Sequence, residues 1–232
     1  MRPMLRRLAL LVVLSACTLE PPFERSNPFD PGSPYPMRLV GVPDTVFAIG
    51  QRFQATIERD PPIDQSTLSI QWRVTDPNDI LAPATQLQHL FNGEFLATNA
   101  MSAELKTLAV GARFNEEVVV GRSIVVGQLV DTLRLSCGSV AAPVACSAVP
   151  LAVGATLNVR SASRDARGFA VQGLQHAMAR ATVTLRTPGV LSSTFTPNTT
   201  GTYTFAAVAA GSTWLVIRSD RAVDSVQVTV TP

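Results

Sequence analysis

Of the chain's 232 residues only two are histidine, three cysteine and two tryptophan, and Lys106 is the sole lysine. With so few imidazoles, a histidine-rich metal centre or proton relay has little to be built from. His89 in QLQHLF and His176 in GLQHAM stand apart in sequence from any carboxylate or nucleophile, which places them on strands or loops as structural residues. Missing too are a G-x-S-x-G turn, an HExxH helix, a P-loop and the glycine pattern of a dinucleotide fold. Only a triad dispersed through the fold would leave no local signature. The chain therefore reads as a non-enzyme with no cofactor and no metal.

Charge is sparse as well, at 16% of residues, and the 19 basic residues barely exceed the 17 acidic ones. Three of those arginines, Arg2, Arg6 and Arg7, stand at the very start; without them the balance is 16 to 17. A near-neutral remainder gives little long-range steering towards polyanions, and no basic patch alternates with aromatics, so nucleic acid is not an expected partner.

A long hydrophobic run is also lacking. Leu8–Leu14 is the most apolar stretch near the N-terminus and spans well under the roughly 20 residues a membrane helix requires. What is there instead is an export signal: a positive start, that short apolar run, and a cleavage context in which the small residues Ser15 and Ala16 follow Leu14 and precede Cys17. Leu14-Ser15-Ala16-Cys17 resembles the lipobox of bacterial lipoproteins. The resemblance implies cleavage after Ala16, a lipidated Cys17 as mature N-terminus, and attachment to a membrane through acyl chains that each bury many methylenes. Thr18 is the kind of non-acidic residue that, in such lipoproteins, accompanies sorting to the outer membrane. The expected address is thus the bacterial cell envelope.

After Cys17, the segment to Pro36 is dense in proline and has no apolar period, which predicts an extended tether over residues 17–36. With Cys17 given to lipid by that resemblance, Cys137 and Cys146 in CGSVAAPVAC remain as a pair, and an oxidising compartment lets a disulfide persist. A metal or redox role would need further ligands or a C-x-x-C spacing, and neither is present.

From Met37 on, alternation dominates: Leu68, Ile70, Trp72 and Val74, then Tyr203 and Phe205, then Val226, Val228 and Val230. That is strand periodicity, and the strongest helical candidate, Ala100–Val110, is short. Four anchors recur in the same order: Gly50 with Gly154, Pro77 with Pro188, Gly93 with Gly201, and Asp131 with Asp224. The expected fold is therefore all-β, two tandem immunoglobulin-like sandwiches at 37–136 and 147–232, with 137–146 as a disulfide-closed linker. DARG, TGTYTFAAVAAGSTWLVIRS and DSVQVTVTP resemble the bacterial Ig-like domains of group 2, found in surface proteins and adhesins. That resemblance implies a binding or adhesive role, with a protein or polysaccharide of the envelope or cell surface as partner.

Measured between Gly93 and Gly121, the first repeat is longer than the second between Gly201 and Gly211, which predicts an insertion over about 97–120. Long connections tend to carry function, so Ala97, Glu104, Lys106, Arg113, Glu116 and Glu117 are the candidate interaction residues; an added hairpin covering a sheet edge is the other reading. Asp76, Asn78 and Asp79 offer oxygen ligands of the type calcium accepts, but a proline turn explains them equally and the spacing is not that of an EF-hand. Three functions compete: an anchored binding lipoprotein, a structural spacer in an envelope assembly, and a lipid-anchored hydrolase, which would require a pocket of converging His and carboxylate groups.

Overall fold

The computed structural model describes residues 37–59, 70–114, 118–138, 142–192, 196–197 and 199–232. The signal segment, Cys17, the tether and the pair Glu116-Glu117 lie outside the described residues. No described helix is long and apolar enough to cross a membrane. The described residues are mainly β-strand and fold as two layered β-sandwiches, each around its own core.

The first sandwich holds β1 (Met37–Val40), β2 (Thr45–Val46), β3 (Arg52–Gln54), β4 (Thr56–Arg59), β5 (Ile70–Asp76), β6 (Asp79–Pro83), β7 (Leu87–His89), β8 (Glu94–Ala97), β9 (Lys106–Phe114) and β10 (Val118–Val126). One sheet runs β2-β10-β9-β5-β6, with β2 parallel to β10; the facing layer is made of β1-β4 and β3-β8-β7. Phe95 is wholly buried between the layers, stacked on Phe53 at 5.1 Å and met edge-on by Trp72 at 5.8 Å. Leu108, Val110 and Ala112, alternate residues of β9, are also fully buried beneath it. Each large apolar side chain so buried contributes about 1.5–3 kcal/mol before entropy is charged against it.

The second sandwich holds β11 (Thr132–Gly138), β12 (Pro143–Val144), a 3-10 turn at Cys146–Ala148, β13 (Thr156–Arg164), a short helix α1 (Leu174–Ala179), β14 (Thr182–Leu185), β15 (Thr196–Pro197), β16 (Thr202–Ala206), β17 (Gly211–Ser219) and β18 (Ala222–Val230). Its sheets run β12-β11-β13-β16-β15 and β14-β17-β18. Tyr203, Phe205, Leu157, Leu215 and Ile217 fill the space between, and burial pushes the Tyr203 phenol up to about 12.

The two halves repeat one another in backbone detail. Gly50 donates to Ala97 O at 2.8 Å and Ala97 to Gln51 O at 2.9 Å; Gly154 donates to Ala207 O at 2.9 Å and Ala207 to Ala155 O at 2.8 Å. At the other end of the same strand pair, Ala55 donates to Gly93 O and Ser161 to Gly201 O, both at 2.9 Å. Gly93 and Gly201 both take a φ of 79°, a left-handed turn that an L side chain rarely adopts, so the shared glycines mark equivalent turns.

The fourth anchor does not hold. Asp131 precedes β11, which pairs with β13 through Leu133 and Ser163 and with no strand of the first sandwich, whereas Asp224 lies inside the final strand β18. The joint therefore falls at residues 127–131, and not at 137–146. Leu133 and Leu135 alternate as any half-buried strand does, and alternation does not say which sheet a strand joins. The stretch 97–120 is likewise no insertion. β9 and β10 pair with each other, and β9 with β5, as β17 does with β18 and β14. The excess arose from matching Gly121, in the middle of β10, to Gly211, which opens β17. The helical candidate Ala100–Val110 runs instead into β9, while the α-helix found among the described residues, α1, is too short to show a periodic stripe.

Candidate functional site: the joint between the sandwiches

Among the candidate interaction residues, Ala97 on β8 is 1% exposed and cannot serve as a surface contact. Glu104 is exposed, 3.8 Å from Lys106 at the start of β9, and Arg113 is half-buried near the end of that strand beside Gln71 and Val119. The structure does not gather these into one site. Asp76 accepts from the Asn78 amide at 2.8 Å, closing the turn between β5 and β6. His89 packs between Trp72 and Phe95, its Nε2 accepting from Gly93 N at 3.3 Å, and burial lowers its pKa; His176 lies on α1. Among the described residues no three His, Cys, Asp or Glu side chains form a group that could hold a metal ion. Cys137 and Cys146 are bonded, with Cα atoms 4.8 Å apart, and close the β11–β12 hairpin inside the second core.

What the fold does bring together is a buried polar knot where the sandwiches meet. Gln128, fully buried in the connection between β10 and β11, donates its amide to Ser102 O at 2.7 Å. Its side-chain nitrogen donates to Asp165 Oδ2 at 3.1 Å and Ala170 O at 3.2 Å, and its Oε1 accepts from Gln172 N at 2.8 Å. Asp165, 2% exposed at the end of β13, also accepts from Ile49 N of the first sandwich at 3.1 Å. Its other oxygen accepts from the amides of Arg167 and Phe169, each at 3.0 Å. A buried carboxylate is tolerated where N–H donors converge on it, and here four do.

On the other side of the connection, Arg180 after α1 holds Asp220 bidentately at 2.8 and 2.9 Å. The same guanidinium donates to Ala103 O of the first sandwich at 2.5 Å, and Asp220 Oδ2 accepts from Val130 N at 2.9 Å. Burial alone raises the Asp220 pKa, but the bonds from Arg180 and the Val130 amide, with the charges of Arg180 and Arg221, hold it below the ordinary carboxylate value. The loop 98–105 reaches across the joint: Met101 is buried in the first core and Ala103 in the second. Gly127 makes that close approach possible, since a β-carbon there would lie 2.6 Å from Leu105 Cδ2 and 2.9 Å from Glu104 O.

Sequence reasoning did not single out Gln128, Arg180 or Asp220, and quoted Asp165 only as the head of DARG. One local signal existed, the Asp-x-Arg-Gly spacing of a turn in which an aspartate accepts from the amide two residues on.

No family model matches the chain, and no curated protein matches it. Solved structures are similar to it at low identity. The Escherichia coli adhesin FdeC matches 84% of this chain at 15% identity and TM-score 0.38, and the match spans 64% of the FdeC chain. Domains 4 and 5 of the S-layer protein SbsC match 70% of it at 16% identity and TM-score 0.34, covering 77% of that chain. The titin A168169 structure matches 84% of it at 10% identity and TM-score 0.49, covering 97% of that chain. Identities and TM-scores this low transfer no activity or partner to this chain.

Proposed function

We propose that this protein is a non-enzymatic lipoprotein of the bacterial cell envelope, anchored through Cys17, whose two sandwiches form a rigid module that binds a partner of the envelope or cell surface. The observation that carries the reading is the joint. Asp165, Gln128 and Arg180 each bond to groups of the other half or of the connection, so the sandwiches present their outer faces in one fixed relation. Rigid presentation reduces the ordering entropy lost on binding, and it serves a spacer subunit equally well. The lipobox supports the anchor, and the proline-rich segment supplies the reach between membrane and module.

Fractionation of intact cells tests the anchor: Cys17→Ser is expected to leave an unprocessed or soluble form, and unchanged partition into membranes and detergent sinks that part. Crosslinking in the native cell then tests the binding role. Recovery of an envelope or surface molecule supports a binding module, whereas crosslinks confined to subunits of a fixed assembly support the spacer.

A further inference from the structure

Near-neutrality of the whole chain hides a segregation of charge. Residues 37–131 contain seven basic and eleven acidic side chains, whereas 132–232 contain eight arginines, three aspartates and neither lysine nor glutamate. All three aspartates of the second half are engaged. Asp165 and Asp220 belong to the joint, and Asp224 accepts from Leu135 N at 2.7 Å and from Ser225 N at 2.8 Å. In the first half, by contrast, Arg38, Arg52, Arg122 and Lys106 each have a carboxylate within 4.0 Å. Arg180 is held by Asp220, but Arg186 and Arg218 are exposed and, among the described residues, have no carboxylate within 4.0 Å.

Two of them share a face with an exposed indole. Along β17, Leu215 and Ile217 point into the core, so Trp214, Val216 and Arg218 point out. Leu185 lies opposite Leu215, which sets Arg186 beside Trp214, and Arg186 N donates to Trp214 O at 2.9 Å. On the other side Trp214 faces Gln227 of β18. One row across the sheet therefore reads guanidinium, indole, carboxamide, and the next carries Thr184, Val216 and Ser225. Trp214 is 42% exposed, while the chain's other tryptophan, Trp72, packs on the first core. Arg218 lies four residues along β17 from Trp214, about 13 Å away on an extended strand.

We propose that this open face of the β14-β17-β18 sheet binds an acidic polysaccharide. Trp214 stacks on a sugar ring, Arg186 takes the carboxylate of that sugar in a bidentate pair, Gln227 bonds its hydroxyls, and Arg218 meets an acidic group further along the polymer. A flat indole suits the apolar face of a pyranose, and a planar guanidinium matches a carboxylate better than a point charge does. A single aromatic row provides no platform for successive bases, which disfavours a nucleic-acid strand. The inference rests on the reading of the protein as an envelope-binding module and names the class of its ligand.

The test is titration of the full-length mature protein, in detergent micelles, with polygalacturonate, and with amylose and single-stranded poly(dT) as comparisons, followed by calorimetry and tryptophan fluorescence. Polygalacturonate is expected to bind and to perturb the fluorescence. Trp214→Ala, and separately Arg186→Ser with Arg218→Ser, are expected to weaken binding at least about tenfold with unchanged melting. Arg134→Ser with Arg167→Ser removes the same charge from exposed positions elsewhere on the sandwich and is expected to change affinity less than about twofold. Equal losses from both arginine pairs, poly(dT) or amylose bound as tightly, or no binding of polygalacturonate each overturns the proposal. Crosslinking to an envelope partner in cells would still succeed in that event if only the ligand class is wrong, and would fail if the binding role itself is.

Discussion

Two aspartates at the joint solve the same problem by different means. Asp165 is satisfied entirely by N–H donors, three backbone amides and the carboxamide of Gln128. Asp220 has a partner of opposite charge, Arg180, and sits at a φ of 48°, a left-handed turn conformation that aspartate tolerates better than most residues. The ion pair makes Asp220 a source of pH dependence with a definite sign. Its folded pKa lies below the unfolded value of 3.8, so the stability it contributes is fully present above that value and is lost as pH falls through the folded pKa. Urea unfolding of the wild type and of Asp220→Asn is therefore expected to differ by a constant amount from pH 7 to about pH 5, and the gap should shrink as pH falls from there towards about 2. A gap that stays constant over the acid range would show that Arg180 does not hold the carboxylate ionised.

The elements explain both what could be read in advance and what could not. Strand alternation and the turn glycines made the sandwiches and their repeat legible, because Gly50, Gly93, Gly154 and Gly201 hold φ values close to left-handed and lie at the same bonds in both halves. Partner choice was illegible: Leu133 and Leu135 would alternate equally well as the last strand of one sandwich or the first of the next. The knot was hidden for a related reason, since Gln128 and Asp165 are 37 residues apart, Arg180 and Asp220 are 40 apart, and nothing local distinguishes a buried glutamine from an exposed one. The disulfide belongs to this scale. It ties β12 and the 3-10 turn to β11 within the second sandwich, and none of the joint's hydrogen bonds runs through that hairpin. Replacing Cys137 and Cys146 together by alanine is expected to lower the stability of the second sandwich by about 2 kcal/mol, through the unfolded chain's regained freedom. Calorimetry should show the loss, and amide spectra should show shifts confined to the second sandwich; shifts spreading to Gln128 and Ile49 would place the hairpin in the joint after all.

For the whole molecule the decisive feature is the set of hydrogen bonds that join the two sandwiches. Five residues, 127–131, make the covalent connection, and a connection of that kind alone would leave the halves free to swing. What opposes swinging is the set of bonds that cross it: Ile49 to Asp165, Ala103 to Gln172 and Arg180, and Gln128 to Asp165 and Gln172. Ile49, Ala103, Gln128 and Asp165 are buried, so opening the joint without water entering would strand their polar groups at about 1–3 kcal/mol each. In residual dipolar coupling measurements a single alignment tensor is accordingly expected to fit both sandwiches of the wild-type protein. Gln128→Ala combined with Asp165→Ala removes the crossing acceptor and donor while leaving both apolar cores intact, and is expected to require two tensors with each sandwich still folded. If the double variant unfolds, Asp165→Asn alone, which keeps shape and loses one acceptor, is expected to show the same loosening at smaller amplitude. A single tensor in every folded variant would mean that packing of the 98–105 loop, with Met101 in one core and Ala103 in the other, holds the module rigid without the polar knot.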